Sequence, residues 1–234
     1  MAPDTLPPHY PMFLNLQDRC VVIVGEGIPV ERKAAAFLRY GADVVVISSE
    51  SSEALRAMEV DYLITLEHRE YATGDLATAS LAVCAGASEQ TNLAVYRDAV
   101  ACGCPINVAG APETSTYLVP TSLRRGPLQI AISTRGVAPS AAKRIRDELK
   151  AEYGEEWESY IELLGSVREL AAGMIPEASE RERVLSEVAS ADLLTRIVDG
   201  ETLDAESLLT EFLDSEDNPS VTALDVTDDA GPEE

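Results

Sequence analysis

The residues with the clearest chemical meaning are two glycines that follow an apolar run. Gly25, Glu26 and Gly27 come directly after it, and Ile28 and Pro29 come next. Gly25 permits a tight turn, Gly27 lets a backbone come close to a phosphate group, and Pro29 suits the first turn of a helix. A helix N-terminus attracts anions through its free N–H groups and its dipole. This spacing predicts a pyrophosphate site; the alternative is a glycine-rich turn without a ligand.

Further candidate cofactor contacts follow the next apolar runs. Ser48, Ser49 and Glu50 follow the second run, and an acidic residue near this position holds the ribose hydroxyls of NAD in dinucleotide-binding folds. Glu50 lies slightly late for that role, so either serine is an alternative, and Glu50 also suits a helix N-terminus. No arginine directly follows the run, which favours NAD over NADP. Gly86 and Asn107, at the ends of later runs, are expected at the same sheet edge.

These residues depend on alternating strands and helices for their positions. The predicted strands cover residues 21–24, 43–47, 62–66, 81–85 and 105–108. The predicted helices cover residues 30–40, 52–58 and 89–102. Short β-branched runs that alternate with helices are typical of buried parallel strands. The pattern therefore predicts an α/β fold with an open, doubly wound parallel sheet of the Rossmann type.

The alternation stops after residue 112. Strands are predicted at 116–119 and 128–133, with Arg124–Pro127 as the turn between them, and a helix from Pro139 to about Tyr153. Two strands alone are marginally stable, so this block suits a small α+β dimerisation region. The predicted division is a Rossmann dinucleotide-binding domain (1–112), a dimerisation region (113–153), an acidic helical domain (154–213) and a disordered acidic tail (214–234).

The charge of the chain is concentrated beyond residue 150. The net charge is −23, and 24 of the 41 acidic residues but only four of the 18 basic residues lie there. A solvated helical surface with a disordered tail explains this, and a docking role is the alternative. Such a field opposes binding to nucleic acid or an anionic membrane. Neither a signal peptide nor a membrane-spanning run is recognisable, so we expect a soluble, cytoplasmic protein.

Cysteine and histidine usage predicts no metal site. The chain has four cysteines and two histidines. Cys20 and Cys84 lie at or inside apolar runs and suit small buried side chains. Cys102 and Cys104 are separated by one residue near a helix end, and a metal site would need further ligands.

Four segments together resemble the N-terminal module of siroheme synthases. Pro11–Leu16 and Val24–Ala34 are similar to the family patterns P-(I/L/M)-F-L-x-L and V-G-G-G-x-V-A-x-R-K-A. Asn107–Pro112 is similar to N-V-V-D-x-P, and Arg125–Pro139 is similar to R-x-P-L-x-(V/I)-A-(V/I)-S-(T/S)-x-G-x-(S/A)-P. The segments follow the family's order across residues 10–150.

The resemblance implies a precorrin-2 dehydrogenase that is often also a sirohydrochlorin ferrochelatase. Such a protein uses NAD⁺ to oxidise precorrin-2 to sirohydrochlorin in tetrapyrrole biosynthesis, and some members then insert Fe²⁺. It implies a homodimer built from a Rossmann domain, a dimerisation region and a helical domain. Cofactor contacts would fall on residues 25–29 and 48–50 and around Gly86 and Asn107.

Substrate contacts are expected near the second half of the resemblance. Ser133 and Thr134 follow a predicted strand and would either contact an acidic side chain of the tetrapyrrole or form an ordinary turn. Arg125 and Arg135 lie in the most basic part of the chain, which suits a ligand with eight acidic side chains. The basic residues of this region are Arg124, Arg125, Arg135, Lys143 and Arg144.

The sequence departs from the family at positions that carry chemistry. The family's aspartate, the general acid or base, aligns with Gly110, and Glu113 is the nearest alternative carboxylate unless it is only an exposed loop charge. Glu26 replaces the middle glycine of the family's triplet, and Gly86–Ser88 replaces a T-(D/N)-(D/N) segment. Two hypotheses therefore stand: an active dehydrogenase, and a non-catalytic nucleotide- or tetrapyrrole-binding relative that acts as a scaffold or regulator.

Overall fold

A five-stranded parallel sheet forms the core of the N-terminal part of the chain, in a computed structural model that describes residues 9–214. Its strands are β1 (Cys20–Gly25), β2 (Asp43–Ile47), β3 (Ile64–Glu67), β4 (Leu81–Ala85) and β5 (Ile106–Val108). Their order in the sheet is β3-β2-β1-β4-β5, and every neighbouring pair is parallel. The strand order reverses between β1 and β4, where ligands bind in such sheets. The predicted Rossmann-type fold is confirmed.

Three helices connect these strands: α1 (Ile28–Leu38), α2 (Glu53–Val60) and α3 (Glu89–Cys102). The hydroxyls of Ser52 and Ser88 cap α2 and α3 by accepting backbone hydrogen bonds, which satisfies otherwise unpaired N–H groups. Alternate residues of β1 belong to two separate apolar clusters, so both faces of the sheet are covered.

The predicted strand at 116–119 is wrong. The backbone N–H of Thr116 donates to the carbonyl of Ile106 (2.8 Å), but the N–H groups of Ile106 and Val108 donate to the hydroxyls of Thr116 (2.8 Å) and Ser115 (2.9 Å). Side-chain oxygens thus replace the backbone carbonyls that a strand would have supplied. This segment covers the edge of β5 without extending the sheet.

A two-stranded sheet follows, made of β6 (Thr121–Arg125) and β7 (Leu128–Ile132). The predicted turn at Arg124–Pro127 is too long, because both arginines belong to β6 and only Gly126 and Pro127 connect the strands. Gly126 has a φ of +49°, which suits a tight connection. Helix α4 (Pro139–Glu152) begins at the predicted proline.

The remaining described residues form four helices, as the composition predicts. They are α5 (Glu156–Met174), α6 (Ala178–Ser190), α7 (Leu193–Val198) and α8 (Ala205–Asp214). Fully buried valines and leucines of all four helices form one apolar cluster. The acidic side chains of this region lie outside that cluster.

The described chain divides into two compact units. One contains residues 9–121 and 131–146, and the other contains residues 122–130 and 147–214. Residues 113–153 are divided between these two units, and the predicted domain division stays a prediction. The predicted tail lies outside the described residues beyond Asp214. Within 9–214 no helix is both long and apolar enough to cross a membrane.

The four cysteines are free thiols. Burial raises the pKa of Cys84 to about 12 and that of Cys104 to about 11, so both stay protonated as small apolar side chains. The described part of the chain contains no group of three or more His, Cys, Asp or Glu side chains arranged to hold a metal ion.

Candidate functional site

The turn after β1 is locked to the turn after β4 by direct backbone contact. A β-carbon at Gly25, whose φ is +137°, would collide with the carbonyl oxygen of Ala85. A β-carbon at Gly86, whose φ is +72°, would collide with the carbonyl oxygen of Glu26. The backbone N–H of Glu26 donates to the carbonyl of Ala85 (3.2 Å). Both glycines are therefore required by close packing at the point where the strand order reverses.

The N-terminus of α1 offers an open backbone surface. Gly27 is the N-cap residue, and the nearest atom to a β-carbon built on it is Pro29 Cδ, at 3.8 Å. Gly27, Ile28 and Pro29 are all exposed. At Gly27 a pyrophosphate could approach the backbone without meeting a side chain of that residue, as the first helix of a dinucleotide-binding unit requires. The residues present fit an anionic group here.

The residues that follow β2 differ in their exposure and in their contacts. Ser48 is buried, and its hydroxyl donates to the carbonyl of Glu50. Ser49 is exposed, and its hydroxyl donates to the carboxylate of Glu26. The Glu50 side chain is exposed. Arg56 of α2 donates to the hydroxyl of Ser51 (3.4 Å), so a basic group does reach this loop, although none follows the strand directly in sequence.

A cavity of about 570 Å³ opens at the carboxyl end of β5, within the first unit. Its walls come from residues 107–112, 118–121 and 132–134 and from Gly136, with Lys33 of α1 and the start of α4. The predicted site residues Asn107, Ser133 and Thr134 all line it, and so does Gly110. Two segments that are far apart in sequence therefore meet in one cavity.

Asn107 shapes the cavity wall. It is buried, and its side-chain Nδ2 donates to the carbonyl of Tyr117 (3.1 Å). This bond ties the segment after residue 115 to the end of β5. The predicted cofactor contact at Asn107 stays a prediction, and the bond adds a structural role.

The hydroxyls of Ser133 and Thr134 accept hydrogen bonds within a turn, and each keeps its own O–H donor. The Ser133 hydroxyl accepts from the N–H of Arg135 (3.1 Å), whose φ is +53°, and the Thr134 hydroxyl accepts from the N–H of Ala138 (3.3 Å). A hydroxyl that accepts a bond still carries its own O–H donor. The two predicted alternatives, a turn and a contact to an acidic substrate group, are therefore compatible.

Lys33 is the one ionisable side chain among the described residues that line the cavity. Burial lowers the pKa of its ammonium group, because partial removal from water disfavours the charged form. Sequence reasoning placed Lys33 in a family segment without giving it a role. The sequence feature that could have indicated this role is a basic residue on the helix that follows the glycine turn.

Gly110 leaves room where the family has an aspartate. Its φ is +84°, and nothing lies within 4 Å of a β-carbon built on it. Glu113, the alternative carboxylate, lies in a single 3₁₀ turn, Pro112–Thr114, where it is exposed and does not line the cavity. The cavity is thus lined by hydroxyls, an amide and one amine, with no carboxylate among its described residues.

Arg125 has structural contacts in the second unit. Its side chain is buried, its Nε donates to the carbonyls of Tyr153 and Gly154 (both 3.1 Å), and its Nη1 lies 3.5 Å from a carboxylate oxygen of Glu155. The exposed Arg124 donates to the carbonyl of Gly126 (3.0 Å). Arg125 therefore joins β6 to the end of α4, a role that the sequence did not predict.

Comparison with known proteins gives two family models in consecutive segments. The NAD(P)-binding model matches residues 12–121, and the model for the central part of sirohaem biosynthesis proteins matches residues 125–152. The precorrin-2 dehydrogenase SirC has a similar fold, with a TM-score of 0.73 and 23% sequence identity over 88% of this chain and all of that one.

Curated relatives match most of this chain. Siroheme synthase 1 of Halorhodospira halophila is 31% identical over 89% of the chain, and the siroheme synthase of Pseudomonas aeruginosa is 30% identical over 87%. The matched regions are 43% and 44% of those proteins, so the chain spans less than half the length of the relatives it matches. The two models, in the order that the sequence motifs predict, confirm the resemblance of the chain to the siroheme synthase N-terminal module.

Proposed function

We propose that this chain is an NAD⁺-dependent dehydrogenase that oxidises precorrin-2 to sirohydrochlorin. The observation that carries the proposal is the cavity at the carboxyl end of β5, at the same sheet edge as the open glycine turn before α1. Ligands of doubly wound sheets bind along this edge. The likeness to siroheme synthases and the fold of a precorrin-2 dehydrogenase supply the chemical identity of the substrate.

The polar groups of the cavity suit an acidic macrocycle. The Lys33 ammonium offers a charge-assisted bond to a substrate carboxylate, and the hydroxyls of Ser133 and Thr134 offer neutral donors. A carboxylate that pairs with Lys33 also offsets the cost of holding a partly buried ammonium group. The remaining wall is largely apolar, which suits the flat faces of a tetrapyrrole.

The oxidation of precorrin-2 requires fewer proton transfers than oxidation followed by iron insertion. Oxidation of precorrin-2 transfers one hydride to the nicotinamide and releases one proton, so NADH and sirohydrochlorin form in equal amounts. Gly110 carries no ionisable group, and we assign the proton to solvent water. When bound, the cofactor supplies the hydride acceptor. The chain's residues hold the macrocycle and the pyrophosphate.

Iron insertion is the less favoured activity. Binding of Fe²⁺ by the macrocycle displaces two pyrrole protons, which need an acceptor. No carboxylate lines the described cavity, and an ammonium group at Lys33 repels a divalent cation. We therefore propose a dehydrogenase without a strong chelatase activity.

The non-catalytic alternative rests on Gly110. A relative that binds tetrapyrrole or nucleotide without turnover would keep the cavity and the glycine turn and would lack only the acid–base group. A homodimer and a cytoplasmic location remain predictions for either function.

The test uses the full chain with NAD⁺ and enzymatically generated precorrin-2 under anaerobic conditions. Sirohydrochlorin and NADH are followed by absorbance, and tetrapyrrole binding is followed in parallel by quenching of protein fluorescence. Turnover of both products is expected. Saturable binding without turnover would identify the scaffold or regulator, and absence of binding and turnover would overturn both functions.

A further inference from the structure

The carboxylate of Glu26 lies at the end of β2, although the residue belongs to the turn after β1. It accepts the hydroxyl hydrogen bond of Ser49, 23 residues further along the chain. The Glu26 backbone cannot shift easily, because its N–H is bonded to Ala85 and its carbonyl lies against Gly86. The side chain therefore reaches from a fixed backbone towards the neighbouring strand, along the edge where a dinucleotide would bind.

That position has a known chemical task in dinucleotide-binding folds. The ribose next to the adenine lies near the end of the second strand, and an acidic residue there accepts hydrogen bonds from its hydroxyls. The sequence pattern assigns this task to Glu50, but the Glu50 side chain is exposed, and its backbone carbonyl accepts the Ser48 hydroxyl. Glu26 places its carboxylate at this position, although its backbone belongs to the turn after β1.

We infer that Glu26 is the residue that selects the cofactor, by accepting the ribose hydroxyls of NAD and repelling the 2′-phosphate of NADP. The inference rests on the dinucleotide-binding part of the proposed function and not on the identity of the substrate. It also gives a role to the glutamate that replaces the family's middle glycine, because its carboxylate is hydrogen-bonded to Ser49 after β2.

Arg56 would favour the opposite cofactor, NADP. Its guanidinium group donates to the hydroxyl of Ser51 and is a natural partner for a phosphate on the ribose. Without a negative charge at Glu26, the loop after β2 would present Ser49, Ser51 and Arg56, which together favour a 2′-phosphate. The Glu26 carboxylate reverses that preference.

The experiment measures binding of NADH and NADPH by nucleotide fluorescence, and of ADP and 2′,5′-ADP by calorimetry, to the full chain. The native protein is expected to bind NADH about 10-fold or more tightly than NADPH, since like charges placed side by side weaken binding strongly. Glu26→Gln keeps the size of the side chain and removes its charge. It should tighten NADPH and 2′,5′-ADP by about 10-fold and weaken ADP, because an amide oxygen accepts the ribose hydroxyls less strongly than a carboxylate does.

Glu50→Gln is the matched control, because it removes an exposed carboxylate one residue from Ser49. It should leave the ratio of NADH to NADPH affinities unchanged. Arg56→Gln in the Glu26→Gln background should reverse the gain in NADPH affinity. The inference is overturned if Glu26→Gln leaves the ratio unchanged, if Glu50→Gln shifts it as much, or if the native protein prefers NADPH. These readouts need no tetrapyrrole, so failure of precorrin-2 turnover would leave them intact.

Discussion

The carbonyl oxygen of Ala85 occupies the position that a side chain on Gly25 would need. This contact joins β4 to the turn before α1, the two elements that flank the reversal of strand order. Since both partners are backbone atoms of buried strands, neither is free to move aside. The geometry of the dinucleotide turn is therefore set by the sheet itself.

Gly25→Ala is expected to destabilise the protein strongly. The new methyl group meets a fixed carbonyl and a backbone φ of +137° that an alanine rarely adopts, so the free energy of unfolding should fall by roughly 3 kcal/mol or more. Urea unfolding followed by circular dichroism measures this. Gly74→Ala is the control, because Gly74 has a φ of +103° but nothing within 4 Å of its β-carbon position, and it should lose only about 1 kcal/mol. Equal losses in the two variants would show that the contact with Ala85 does not matter.

Arg125→Met should lower stability rather than substrate affinity. It removes the donors to the carbonyls of Tyr153 and Gly154 and should cost about 2 kcal/mol in the free energy of unfolding. Arg124→Met, at an exposed neighbour, should cost less than about 0.5 kcal/mol. Unchanged stability together with a higher KM for precorrin-2 would instead make Arg125 a substrate ligand.

Lys33→Met should weaken tetrapyrrole binding by about 10-fold, which corresponds to the loss of one charge-assisted bond. Lys33→Arg keeps the positive charge and should stay within about 3-fold of the native affinity. Fluorescence quenching by the tetrapyrrole measures both. Lys143→Met removes an exposed positive charge that does not line the cavity, and it should have little effect. A loss in Lys33→Arg as large as that in Lys33→Met would argue for proton transfer by the amine instead.

The lowered pKa of Lys33 predicts a pH dependence of stability. Its folded pKa lies below that of the unfolded chain, so folding releases a proton at pH values between the two. The buried ammonium destabilises the folded protein below the folded pKa, and this penalty disappears as the pH rises towards the unfolded value. Relative to Lys33→Met, the native protein should gain stability as the pH rises towards about 10.5, the ordinary pKa of a lysine, measured by urea unfolding at each pH. A flat difference would show that Lys33 is fully hydrated.

Gly110→Asp should fold and place a carboxylate in the cavity. The space is open, and the φ of +84° is the main cost, about 1 kcal/mol or a few degrees in Tm. Gly110→Ala, with similar strain and no charge, is the control. Faster turnover, or new Fe²⁺ insertion, in the aspartate variant alone would identify the lost acid–base group. Equal activity in the two variants would show that the reaction does not need it.

The sheet and its helices were predictable because their signals are local. Apolar runs such as Leu81–Ala85, and a helix between a serine cap and a glycine such as Glu89–Cys102, match the structure at both ends. The segment 116–119 was mispredicted because hydroxyls of Ser115 and Thr116, rather than backbone carbonyls, bond to β5. Strand propensity does not reveal that side-chain hydroxyls take the place of backbone carbonyls in these hydrogen bonds.

The candidate site was only partly predictable because its contacts join distant residues. The glycine turn and the Ser133–Thr134 turn carry recognisable patterns. By contrast, the direction of the Glu26 side chain, the bonds of Arg125 to the end of α4 and the position of Lys33 in a cavity wall all depend on tertiary packing.

The most direct test of the proposed function is the stoichiometry of a single turnover. Excess chain and NAD⁺ are mixed with a limiting amount of precorrin-2 under anaerobic conditions, and NADH and sirohydrochlorin are measured together. The proposed dehydrogenase predicts one NADH for each sirohydrochlorin, at a rate that Lys33→Met slows when the protein concentration lies below the Kd for precorrin-2. Sirohydrochlorin that forms without NADH, or at a rate independent of the protein, would contradict it.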